Sequence, residues 1–211
     1  MTPPTPNACW AAVSSPRRPL LPEVSAETLA LAARHGLPVE MLYLRDAYPR
    51  ERWAEPGLDQ TAAFWLQMHG SFRGHQGHMD GLVSQWRAGG DIRALHRQLI
   101  PALQSFLQHL DGHHRIESGQ YFPAMRKIEP KIARGIDLLD RDHGAIHHTL
   151  ETLFQSGMAF HQAISANAPD AADRAARLGD AIDAGAEPLL RHLEDEEDIV
   201  IPLIQLRGFQ H

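Results

Sequence analysis

The sequence predicts an all-α protein: an up-down-up-down four-helix bundle preceded by an irregular, short-helix extension. Three observations carry that prediction. From Asp59 onward, apolar residues recur at three- and four-residue steps over long stretches, and no sustained period-two run of β-branched residues marks a strand. The stretches are separated by short breaks rich in Gly, Asn or Pro, and short connections between long helices produce antiparallel neighbours. At 211 residues the chain can bury one substantial core.

Residues 1 to about 23 hold six prolines, which cannot continue a helix, so this segment reads as an arm. Ser25 offers an N-cap to a short helix over Ala26–Arg34 that stops at Gly36. Pro38, Pro49 and Pro56 then imply irregular wrapping. We divide the chain accordingly into residues 1–58, arm and short wrapping helix, and residues 59–211, the bundle.

The first long helix covers about 59–88, with Trp65, Met68, Phe72, Met79, Leu82 and Trp86 on its apolar stripe and Gly89–Gly90 ending it. The second runs from an Asp91 cap to about Met125, with Pro101 expected to kink or break it. Pro123 and Pro130 bracket the next connection. The third covers about 131–166, followed by a turn at Asn167–Pro169. The fourth covers about 170–207, with local distortions expected at Pro188 and Pro202.

Composition excludes several classes. The net charge is −6 and Lys and Arg form no basic stripe, which argues against a nucleic-acid partner. The single cysteine, Cys9, excludes a disulfide framework and a thiolate metal cluster. No stretch is long and apolar enough to span a membrane, and no basic segment followed by an apolar run opens the chain, so the default location is the cytoplasm. What stands out is 14 histidines, whose spacing has to explain them.

Three of the long helices carry ligand-type pairs one turn apart: His113 and Glu117, His143 and His147, His192 and Glu196. Residues at i and i+4 share a helix face, so each pair can serve one metal or two adjacent ones. One such pair arises readily on a solvated face; three on consecutive helices do not. They also share a level. Glu117 lies 12 residues before Glu129 and His143 lies 14 after it; His147 lies 22 before Pro169 and His192 lies 23 after it. At the helical rise these partners agree to within about 3 Å. On the first helix His69 comes nearest that level, whereas His75 and His78 fall well short and read as polar-face or outer-layer residues. Five histidines and two carboxylates without a thiolate favour iron or manganese over structural zinc, and are too many for one tetrahedral ion.

The pattern His69, His113–Glu117, His143–His147, His192–Glu196, with the local words HHRIESGQYFP, LLDRDHGAIH and LLRHLEDEEDIVIPL, resembles the hemerythrin-like family in its bacterial HHE branch. The resemblance covers about residues 59–207. It implies a non-haem di-iron site, with manganese or zinc as substitutes. One iron would take His143, His147 and His192, and the other His69 and His113. Glu117 and Glu196 would bridge them together with an oxo or hydroxo group. It implies a small diatomic or peroxide ligand, and a monomer or homodimer.

Several residues have two readings. Glu197 competes with Glu196, which the one-turn offset favours. Tyr121 either packs with its hydroxyl in a polar pocket or supports, or joins, the metal site. His114 and His148 point about 100° away from their neighbours and read as surface or outer-layer residues. Trp65 and Phe72 read as pocket walls. Asp140 and Asp142 either hold a ligand imidazole or are surface charges. The same site admits a binding or sensing protein for dioxygen, nitric oxide or peroxide, an enzyme with peroxidase-like or nitric-oxide-consuming activity, or a metal-stabilised interaction module.

Overall fold

The computed structural model describes residues 29–209. The proline-rich arm, Cys9 and the start of the expected Ala26–Arg34 helix lie outside them. The described part of that helix is a single turn, closed by the Arg34 amide donating to the Ala30 carbonyl. Its continuation is two 3₁₀ turns, Val39–Met41 and Arg50–Arg52, flanking a short helix α1, Tyr43–Ala47.

The bundle consists of α2 (Gln60–Arg87), α3 (Ile92–Ile116), a short α4 (Phe122–Ile128), α5 (Ala133–Ser165) and α6 (Ala171–Arg207). No strand occurs among the described residues. Contacts run from α2 to α3, α3 to α5, α5 to α6 and α6 back to α2, closing a ring of antiparallel neighbours. Local chemistry sets the ends. Asp59 accepts from the Thr61 and Ala62 amides, and Asp91 from the Ala94 amide, so each caps a helix start. Gly89, at φ +101°, takes the left-handed turn between α2 and α3.

The prolines behave differently from the expectation. Pro101, Pro188 and Pro202 all lie inside continuous helices. The second expected helix is interrupted later instead, by a π turn at Glu117–Tyr121 that separates α3 from α4. The burial pattern gives the reason. Leu103, Phe106, Leu110, His114 and Glu117 follow three- and four-residue steps, but the next buried residue is Phe122, five further on. The extra residue of the π turn rotates the chain so that Phe122 and Met125 enter the core.

The core is split. One apolar cluster gathers Phe72, Leu99, Phe106, Leu110, Ile146, Phe160 and Leu193; a second gathers Trp65, Phe122, Met125, Leu139, Ile199 and Val200. On three of the long helices a polar position falls between a residue of one cluster and a residue of the other: His69 between Trp65 and Phe72, His143 between Leu139 and Ile146, Glu196 between Leu193 and Ile199. The bundle therefore encloses one polar layer between two apolar ones. Residues 29–58 lie against it, with Leu29 and Met41 packed on Leu138 and Leu44 inserted in the second cluster. No described helix is long and apolar enough to cross a membrane.

Candidate metal centre

Four helices contribute to the polar layer. His69 comes from α2, His113 and His114 from the end of α3, Glu117 from the π turn, His143 from α5, and His192 and Glu196 from α6. All are buried except His113, which is nearly so. Their metal-binding atoms fall into two groups. His69, His113, Glu117 and Glu196 form one; His114, His143 and His192 form the other, and within each the atoms lie within 4.8 Å of one another.

Six of the seven ligands expected from the sequence are thus brought together; His147 is not. Its side chain is 67% exposed, with Nδ1 3.6 Å from Asp111, along an apolar groove between α3 and α5. The phase of α5 explains this. Its buried stripe reads Leu139, Asp142, His143, Ile146, Leu150 and Leu153, so the inward position one turn after His143 is Ile146, and His147 falls beside the stripe. His114, which the 100° offset places at the surface or in an outer layer, is instead 6% exposed and its ring stacks on His143 at 4.1 Å. The end of α3 has α2 on one side and α5 and α6 on the other, so its two adjacent histidines meet different neighbours. His113 meets Phe72 and His69, and His114 meets His143 and His192. Position 114, one turn after Leu110 and three residues before Glu117, carries that signal in the sequence.

His69 and His143 are each aimed by a hydrogen bond at the other ring nitrogen, and His192 faces a carboxylate there. His69 Nδ1 lies 3.1 Å from Glu197 Oε1, which also accepts from Arg73 at 2.7 Å. Because a carboxylate only accepts, His69 Nδ1 carries the hydrogen and Nε2 faces inward. The Ser118 hydroxyl donates to Asp140 at 2.6 Å, so its oxygen accepts from His143 Nδ1 at 2.9 Å. His192 Nδ1 faces Asp142 at 3.6 Å, an ion-pair contact beyond hydrogen-bond reach, and is itself buried without a hydrogen-bond partner. Glu197 is therefore the partner behind His69, and Glu196 is the carboxylate inside the layer, where Trp65 Nε1 donates to it at 2.6 Å. Tyr121 sits at the side, its ring 5.2 Å from Trp65. His75 Nδ1 is on the helix surface, against the Ser71 carbonyl at 2.8 Å.

The inward atoms have little to satisfy them. Nε2 of His69, His113, His114, His143 and His192, both Glu117 oxygens and Glu196 Oε2 are buried without a hydrogen-bond partner. Several approach one another closely, His113 Nε2 to Glu117 Oε1 at 2.8 Å and His192 Nε2 to Glu196 Oε2 at 3.2 Å, but as unaligned ion-pair contacts. Such atoms each cost about 1–3 kcal/mol when left unmet, and they present imidazole and carboxylate lone pairs to one another. That is a donor set for cations. The model of the hemerythrin HHE cation-binding domain matches residues 60–204.

The chain belongs to that family. No curated protein and no solved structure gives a match to it. The HHE layer is electrostatically polarised. Burial pushes His113 down to about 3 and His143 to about 4, with the neighbouring histidines adding to both shifts. Burial likewise holds His114 well below the ordinary range. Burial opposes charge on His192 too, but Asp142 and Glu196 override it and raise the group to about 9. At His69 Glu196 and Glu197 override burial in the same sense. Burial and the adjacent Glu196 hold the Glu117 carboxyl well above its usual range, while His69 and His192 pull Glu196 well below. The layer thus sets imidazoles that burial disfavours as cations against two, His69 and His192, that neighbouring carboxylates favour as cations.

Proposed function

We propose that this HHE domain is a non-haem di-iron protein that binds dioxygen, nitric oxide or peroxide. The observation that carries the reading is the convergence of five partnerless imidazole Nε2 atoms and two carboxylates in a closed layer between two apolar clusters. Seven donors of this kind exceed the needs of one ion and suit two, and an imidazole and carboxylate set without thiolate suits iron, or manganese. An iron pair would supply redox chemistry and an open position for a small ligand.

The protein's own part is to hold that layer. His69, His113, Glu117 and Glu196 would serve one ion and His114, His143 and His192 the other, with Glu117 and Glu196 shared between the two. Glu117 suits this role because its two oxygens face His113 Nε2 at 2.8 Å and His143 Nε2 at 3.5 Å, one from each group. Glu196 faces His69 and His192 in the same way, at 3.5 and 3.2 Å. Glu197 and Ser118 fix the His69 and His143 rings, Asp142 faces His192 with its charge, and Phe72, Trp65 and Phe122 exclude water.

A second reading, an enzyme that consumes peroxide or nitric oxide, is favoured by the Trp65–Tyr121 pair. It places two oxidisable rings in series beside Glu196. The deciding experiment is anaerobic addition of dioxygen, nitric oxide or peroxide to the reduced, iron-loaded protein. A spectral change that reverses on degassing supports a carrier or sensor. Consumption of many equivalents supports an enzyme, and a chain that takes up no iron overturns both.

A further inference from the structure

The match to the family model begins at residue 60, yet the segment before it reaches the polar layer. Arg34 is 4% exposed, and its guanidinium clasps two buried carboxylates from different helices. Nε donates to Asp195 Oδ2 on α6 at 2.7 Å, while Nη1 and Nη2 donate to the two oxygens of Asp142 on α5. A further bond from Nη1 to the Leu29 carbonyl at 2.8 Å fixes the fork to its own segment. Asp142 Oδ2, held by Arg34, is the atom 3.6 Å from His192 Nδ1.

We infer that Arg34 is a positioning residue for the metal layer, acting through Asp142 on His192. The inference rests on the di-iron reading and extends it to a part of the chain outside the family domain. Ligand imidazoles are oriented by the carboxylate on their other nitrogen, and losing such a partner typically weakens metal binding by about 10- to 100-fold. Asp142 is buried between an arginine and a histidine. Without the arginine it loses the fork that sets its plane, and it is free to turn toward His192 or away. The same construction recurs behind the other rings. Glu197 behind His69 is held by Arg73 and approached by Arg50 at 3.6 Å, and Asp140 behind Ser118 and His143 is held by Arg126. Every acid behind these three rings meets an arginine, and two of those arginines, Arg34 and Arg50, come from residues 29–58. That segment is therefore part of the metal site's frame.

Arg45 provides the control. It tethers the same segment to α6 through Asp198 at 2.9 Å, and it touches none of the acids behind a histidine. Full-length wild type, Arg34→Gln and Arg45→Gln would be stripped and titrated with Co(II), recording affinity, stoichiometry and the ligand-field bands, alongside the melting temperature of each metal-free protein. Arg34→Gln should lose about tenfold or more in affinity and shift the bands. Arg45→Gln should keep both within about twofold, whatever its melting temperature. Equal affinities and identical bands in the two folded variants would overturn the inference. If Arg34→Gln does not fold, Arg34→Lys takes its place, since one ammonium cannot span both carboxylates. Bands and affinity indistinguishable from wild type would then overturn it. A wild type that binds no Co(II) would defeat the di-iron reading instead.

Discussion

Loading the metal-free protein should displace about one proton or more at every pH between 6.5 and 8.0. The perturbation is titration of the metal-free chain with Zn(II) between pH 6.5 and 8.0. Metal binds the deprotonated ligand, so each proton resting on a donor is released. Five ordinary histidines near 6.5 would together release about 2.5 protons at pH 6.5 and only about 0.15 at pH 8.0, a steep fall. The structure divides them differently. His113, at about 3, and His143, at about 4, hold no proton in this range, and nor does His114. His192, at about 9, remains charged throughout, while His69 and Glu117 are both shifted toward the protonated form. Release should therefore stay above about one proton per chain across the range, with His192 alone supplying most of that one. Calorimetry in buffers of different ionisation enthalpy counts the protons directly. A release that falls close to zero at pH 8.0, as ordinary histidines require, would refute the assignment of charge to His192.

Four further outcomes are expected. His114→Ala should lower metal affinity by about 100-fold or remove one ion, whereas His147→Ala should keep the wild-type stoichiometry, both read by metal analysis after dialysis. His69→Ala should lose about half the iron and His75→Ala none, since only His69 has its Nε2 in the layer. Phe72→Ala should cost about 3–5 kcal/mol in urea unfolding, because the ring is fully packed and also walls His113 at 5.0 Å. The stability of the metal-free protein should peak near pH 6.5. Below it the unfolded chain protonates histidines that the fold keeps neutral, at His113 down to about 3 and His143 down to about 4. Above it the stability stored in charged His192 is lost as pH rises through about 9, and a stability curve by denaturant titration at several pH values checks both arms.

Helical periodicity and loop residues suffice for the fold because they are local. Apolar steps of three and four, an Asp cap before α3, and glycines after α2 each involve residues within one or two turns. The pairs His113–Glu117 and His192–Glu196 were legible for the same reason, as was the choice of His69 over His75, since equal distance from a turn needs only the helical rise.

What only the tertiary structure decided is how each helix is rotated and what stands behind each ligand. His147 shares a helix face with His143, but neighbouring helices pack on a stripe set by Leu139, Ile146 and Leu150, and a rotation of 40° suffices to leave His147 outside. His114 enters because the end of α3 meets α2 through one histidine and α5 through the next, so both members of an adjacent pair face inward. Glu196 and Glu197 are separated the same way, one inside the layer and one behind His69. The π turn at Glu117–Tyr121 answers to the packing of Phe122 and Met125, which no local propensity announces. Arg34 meets Asp142 across 108 residues and Asp195 across 161. No spacing rule links residues so far apart, because what joins them is burial. Two carboxylates shut away from water need a cation, and folding brings that arginine from outside the bundle to supply it.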